Sequence, residues 1–248
     1  MTAEFRRRTF LTAEWRYLVM LNYTVEPGLL EPLVPRGTEL DAWQGRTFVS
    51  VVGFLFRNTR LVGIPIPGHR HFEEVNLRFY VRRRVPNEVR RGVTFVRELV
   101  PRRAIAWVAR FAYNEPYRRL PMRHRIQPGE ADPASPRSVE YAWRVGGEWS
   151  RVAVEPEGHP RVIAPGSEEE FVTEHYWGYT RQRDGSAVEY EVRHPRWEVW
   201  HVRRAELAGD LEEIYGPAFA SVLRREPSSA FLAAGSAVSV HAPSRLSF

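Results

Sequence analysis

A chain of 248 residues is long enough for one large domain, and 43% hydrophobic with 27% charged residues is a globular composition, not a disordered one. The absence of cysteine excludes disulfides, thiolate catalysis and cysteine-held zinc. The formal charge is +6, yet all 36 basic residues are arginine, so no side chain can supply the neutral primary amine of a Schiff base.

In chain order, residues 15–25 (WRYLVMLNYTV) predict a mostly buried strand. EPGLLEPLVPRG then predicts a short helix opened by Pro27 and closed before Gly37. Residues 38–43 and 46–56 pair as a hairpin across Gln44-Gly45, and NTRLVGIPIPGHRH (58–71) reads as a loop. FEEVNLRFYV alternates cleanly, with Val75, Leu77, Phe79 and Val81 on one face and Glu74, Asn76, Arg78 and Tyr80 on the other. A strand over 92–100 carries Glu98, and residues 101–113 predict a helix with Ile105, Val108, Ala109 and Ala112 on one side. Strands follow at 118–126, 138–145 and 148–155, the last two joined by Gly146-Gly147. SEEEF at 167–171 is a capping box, with Ser167 and Glu170 three residues apart. Two strands flank Asp184-Gly185, another begins near Trp197, a helix covers 208–224, and a strand over 229–241 follows. The expected architecture is one α+β domain over 1–248, with its core at about 8–241, built on a curved antiparallel sheet or barrel.

Apolar runs fall short of the ~18 residues that cross a bilayer. The start, MTAEFRRRTFLTAEW, has no apolar segment behind its arginines, so a cytoplasmic protein with no membrane partner is expected. The arginines lie in scattered pairs and triplets among acids, which suits a solvated surface better than a nucleic-acid-binding stripe. His69 and His71, with Glu73 and Glu74, are the best metal candidate, but the set lacks a third histidine, and neither metal nor cofactor is expected. The aromatics Tyr176, Trp177 and Tyr179 read as packing residues, and His194 as a turn residue whose ring bonds the backbone. The polar face of Glu74, Asn76, Arg78 and Tyr80 is the wet side of a half-exposed sheet; if the sheet closes, the same face lines a cavity.

WRYLVMLNYTVEPGLLEPLVPRGTELDAWQGRTFVSVVGFLF, FEEVNLRFYVR, SEEEFVTEHYWGYT and VRHPRW together resemble the YqjF-like family, grouped with the acetoacetate decarboxylase-like superfamily, over about residues 8–241. That resemblance implies a β-barrel or cone with a few short helices, and relatives that form homo-oligomers. Arg16, Tyr23 and the LVP at 33–35 match the decarboxylase spacing, and Phe72 to Glu74 match its aromatic-x-Glu strand start. Where the decarboxylases carry a lysine pair after AIAVGRE…P, AIAWVARFAYNEP leads here to Tyr117-Arg118. The decarboxylases' second glutamate has no counterpart, since Ser50 stands nearest.

The resemblance therefore implies a pocket framed by Arg16, Glu74, Asn76, Tyr117 and Arg118, suited to a small, carboxylate-bearing ligand. The Schiff-base lysine is missing, and with it acetoacetate decarboxylase activity. Two other readings stand beside this one. Tyr117 or Glu74 could serve as general acid or base in an enol or hydratase-type reaction. Alternatively, the basic surface could bind an acidic partner.

Overall fold

Residues 8–101, 116–130, 132 and 135–246 are described by a computed structural model of the chain, and the period-two pattern of the sequence dominates it. The first half contains β1 (Thr9–Val25), α1 (Pro27–Leu30) running into a 3₁₀ turn (Glu31–Leu33), β2 (Glu39–Leu40), β3 (Thr47–Leu61), β4 (Ile64–Pro65), β5 (Phe72–Val85) and β6 (Glu88–Val100). The second contains β7 (Tyr117–Arg119), β8 (Met122–Pro128), β9 (Pro136–Val145), β10 (Glu148–Val162), α2 (Glu168–Thr173), β11 (Trp177–Arg181) and β12 (Ala187–Arg193). It continues with β13 (Glu198–Ala208), α3 (Leu211–Leu223), β14 (Ser229–His241) and β15 (Ser244–Arg245). The helix expected over 101–113 lies outside the described residues for all but its first position.

All of the described strands belong to one sheet. Pairings run β12-β11-β6-β5-β3-β1-β14, and β14 also meets β12 at Val192↔Val240 and Arg193↔Ser239, so the path returns to its start. β14 serves both neighbours because β13 takes its Phe231–Ala233 stretch while β12 takes Ser239 and Val240. From β13 the sheet continues through β10, β9 and β8. Pairing is antiparallel except at β6, which is parallel to β7 and β11. An all-antiparallel sheet is thus corrected at one strand, where longer crossovers bring the chain back in the same direction.

The alternation on β5 sorts its residues as the sequence predicts. Val75, Leu77, Phe79 and Val81 join the larger core with Tyr141 and Trp143 of β9 and Ile214 and Phe219 of α3. Glu74 and Asn76, on the opposite face, are only 3% and 2% exposed, so this face is enclosed and not the wet side of a sheet. Tyr80 joins the second core there, with Phe48, Val52, Phe54 and Phe171.

Several local expectations are changed. Gln44-Gly45 does make a two-residue turn, both residues at positive φ, with Trp43 and Arg46 bridged across it. The arm before the turn, however, pairs with β5 through Glu39↔Arg82 and Leu40↔Val81 and not with β3. The loop at 58–71 is partly strand, because β3 runs to Leu61 and pairs with β4 around Val62-Gly63. The strand expected at 118–126 is split into β7 and β8, and the helix expected over 208–224 starts only at Leu211, since β13 reaches Ala208. α3 is also kinked at Gly216, just before Pro217. Ser167 caps α2 by accepting from the Glu170 N–H at 3.2 Å, as the capping box predicts.

β1 bends where Tyr17 adopts φ 55°, with a register shift against β3 between Arg16 and Val19. Gly235 of β14 lies opposite Arg16 at φ 76°, and a Cβ there would meet the Trp15 carbonyl oxygen at 2.0 Å. Gly185 has a similar φ of 81° but open space around it. Gly235→Ala should therefore cost about 3 kcal/mol, combining backbone strain and overpacking, whereas Gly185→Ala should cost only about 1 kcal/mol. Urea unfolding of the two variants checks this; equal losses would contradict the role given to the β1–β14 contact.

Candidate functional site

The ring of strands lines a partly open cavity of about 130 Å³. Its apolar wall includes Trp15, Phe54, Phe56, Phe72, Phe95 and Trp197, and its polar residues include Glu74, Asn76, Arg78, Glu98, Tyr117 and His175. The polar side is assembled by strand register. Glu74, Asn76 and Arg78 alternate along β5, Glu98 of β6 pairs with Asn76, and Tyr117 of β7 pairs with Glu98.

Glu74 accepts hydrogen bonds at Oε1 from Asn76 Nδ2 (3.1 Å) and at Oε2 from the Tyr117 hydroxyl (3.3 Å). Burial dominates its titration; the two hydrogen bonds and the Arg78 charge pull the other way, and the carboxyl ends pushed up to about 7. Such a group changes protonation near neutrality, which suits it to accept or donate a proton. Arg78 Nη2 donates to the Val172 carbonyl at 3.1 Å, its guanidinium lies 5.7 Å from the Tyr80 ring, and its Nε has no partner among the described residues.

His175 follows α2 and sits against Tyr80 and Phe171, with ring centroids 4.7 and 5.1 Å away. Its Nε2 is 3.3 Å from Asp41 Oδ2, an oxygen that also accepts from Arg91 Nε at 2.7 Å. Burial raises the Asp41 carboxyl, but the hydrogen bonds from His175 and Arg91 outweigh it and hold the group at about 2. His194 bonds the Pro195 carbonyl through Nδ1 (3.0 Å), as expected of a turn residue, and its ring also stacks on Trp197 at 4.1 Å on the cavity wall.

Of the residues expected to frame the pocket, Glu74, Asn76 and Tyr117 come together here, and Arg16 and Arg118 do not. At the β1 bend Trp15 and Leu18 face the cavity, while Arg16 turns out to Glu14 (2.8 Å) and the Gly235 carbonyl. Arg118 pairs with Leu99 of the larger core, on the opposite side from Tyr117, and its guanidinium holds Glu213 of α3 at 2.9 Å. Ser50 accepts from the Tyr80 hydroxyl and donates to Asn22 Oδ1, both at 2.6 Å, in a buried chain that continues through Ser229 to Glu168.

The metal candidates are engaged elsewhere. His69 bonds the Pro67 carbonyl, Glu73 bonds His124, and no cluster of three potential ligands occurs among the described residues. Sequence reasoning left Arg78, Glu98, His175 and Asp41 out of the site. Alternation already placed Arg78 beside Glu74, whereas nothing local in EEEFVTEHYW marks His175.

The model of the DUF2071 family, described as an uncharacterized conserved protein, matches residues 12–237. The uncharacterized protein YqjF of Bacillus subtilis is 28% identical over 195 residues, 77% of this chain and 74% of that protein. Among solved structures, the enduracididine biosynthesis enzyme MppR complexed with pyruvate superposes with a TM-score of 0.69 at 14% identity, covering 99% of this chain and 93% of that one. Acetoacetate decarboxylase from Legionella pneumophila gives 0.66 at 12% identity, with 100% and 92% covered. At these identities the likeness is one of fold.

The Glu74 environment has a consequence for stability. The ordinary carboxyl value is 4.5 and the folded one about 7, so between them the folded state binds more protons and stability falls as pH rises. Relative to a Glu74→Gln variant, the wild type should lose on the order of 3 kcal/mol between pH 4 and 8 and nothing further above that. Urea unfolding across this range tests it, and a stability difference that stays flat with pH would refute the assignment.

Proposed function

The chain belongs to the DUF2071 family of uncharacterized conserved proteins, and we propose that its ring of strands is a barrel whose cavity binds a compact organic acid without Schiff-base chemistry. The observation that carries this reading is Arg78, a guanidinium at the cavity wall whose Nε has no partner among the described residues, beside buried Glu74 and Asn76 and half-buried Tyr117. A carboxylate seated against Arg78 gains a charge-assisted hydrogen bond in a dry site. The aromatic residues opposite take the ligand's apolar body, and a volume of about 130 Å³ suits a molecule of a few carbons. The pyruvate bound by MppR, a protein of the same fold, supports an acid as the ligand class. Arg78 thereby replaces Arg16 and Arg118 as the residue that receives the carboxylate.

Decarboxylation through an imine requires an amine, and the sequence has no lysine. A second reading is favoured by the titration of Glu74 near neutrality beside a phenol: proton transfer to or from a bound acid, with Glu74 as base and Tyr117 as its hydrogen-bonding partner. If turnover of a candidate acid is found, both Glu74→Gln and Tyr117→Phe should slow it, by about a hundredfold for the former.

A thermal-shift screen of small keto, hydroxy and unsaturated acids tests binding. A ligand at a hundred times its Kd should stabilise the protein by about 2.7 kcal/mol, and Arg78→Gln should abolish the shift. Absence of any selective shift would count against the reading. Borohydride treatment with a β-keto acid should leave the protein mass unchanged, and a stable adduct would overturn the exclusion of imine chemistry.

A further inference from the structure

We propose that His175 is a fixed hydrogen-bond acceptor of this pocket, and that the acid it takes also carries a hydroxyl or enol O–H. The inference rests on the organic-acid reading above and narrows it.

The proton of His175 is placed by its neighbour. Asp41 is an acceptor with no proton of its own, so the imidazole nitrogen facing it, Nε2, carries the N–H. A second proton is disfavoured by burial first and by the charges of Arg91 and Arg78 next; against the pull of Asp41, these lower the imidazole to about 4. Neutral imidazole has one N–H, so Nδ1 is left as a bare lone pair. That atom is buried and has no donor among the described residues, in a side chain that lines the cavity. Its ring neighbours, Tyr80 and Phe171, cannot meet the need: the Tyr80 hydroxyl is already engaged with Ser50, and Phe171 has no donor.

The same wall holds a second open acceptor. Asn76 Oδ1 is buried without a partner among the described residues, because the amide's Nδ2 is turned to Glu74. A ligand with only acceptors, such as a simple carboxylate or a keto acid in its keto form, would satisfy Arg78 and leave both atoms unmatched. A buried polar group left without its partner is penalised more heavily than an average hydrogen bond is rewarded, which makes such a site discriminating. Tyr80 lies close to both groups, with the Arg78 guanidinium at 5.7 Å and the His175 ring at 4.7 Å from its ring. The groups that receive the carboxylate and the hydroxyl therefore flank a single side chain.

The test is a set of matched pairs differing by one hydroxyl: 2-hydroxyisovalerate against isovalerate, 3-hydroxybutyrate against butyrate, and mandelate against phenylacetate. Calorimetric titration of the wild type should give the hydroxy member of at least one pair an affinity about tenfold to a hundredfold higher. The ratio should fall toward one in His175→Phe. It should fall also in Asp41→Asn, which keeps the imidazole but no longer fixes its proton on Nε2. Nitrogen-15 spectra of the wild-type imidazole keep the proposal testable if the variants do not fold: Nδ1 should appear unprotonated and should move with the hydroxy acid only. Equal affinities within every pair, or a preference that survives His175→Phe, would overturn the role of His175 and leave the acid-binding reading intact. Failure of every acid to bind would overturn both.

Discussion

β14 holds two neighbours along one edge, β13 over Phe231–Ala233 and β12 at Ser239 and Val240, and the enclosure of the cavity depends on that division. Without the β12 contact the path of strands from β12 round to β14 would be an open sheet, and the even-numbered face of β5 would be wetted. Once the path returns on itself, the same residues are removed from water. Burial then sets their chemistry: it raises the Glu74 carboxyl, lowers the His175 imidazole, and leaves Asn76 with an acceptor that no described residue fills.

The larger core offsets the free-energy cost of that interior. The odd-numbered residues of β5, with their neighbours on β1, β3 and β6, bury a continuous aliphatic and aromatic layer against β9, β10 and α3. The polar cavity is therefore cut from one side of a strand whose other side is a conventional core. Two buried carboxylates elsewhere are matched by guanidinium groups: Asp41 by Arg91 and Arg82, and Glu189 by Arg83 and Arg90. Glu74 has no such close guanidinium contact among the described residues; it is held by an amide and a phenol, and it titrates accordingly.

Much of this was legible where a rule of local geometry governed the outcome. The β5 faces, the Gly146-Gly147 and Asp184-Gly185 turns, the α2 cap and the strand at 229–241 follow from alternation and turn chemistry. The family resemblance placed Glu74, Asn76 and Tyr117 in a frame that the cavity also contains. Arg16 and Arg118 lie away from the cavity because which side a residue takes depends on a bend at Tyr17 and on the parallel register of β7, and neither leaves a mark in the sequence. Asp41 was missed for a similar reason. Its arm was expected to pair with β3, but its N–H bonds the Tyr80 carbonyl at 3.0 Å, and that contact at β5 delivers its carboxylate to His175.

A ring held by backbone ladders cannot open between two strands without breaking several hydrogen bonds at once. Access to the cavity therefore rests on side-chain and loop movement, not on strand separation. Thr59 and Leu61 at the end of β3 and Ile66 just past β4 contribute cavity-lining side chains on either side of the turn at Val62-Gly63. For the ligand proposed above, equilibrium and kinetics would then fall to different regions of the chain: the β5 wall would set how tightly it is held, and the turn how long it takes to exchange.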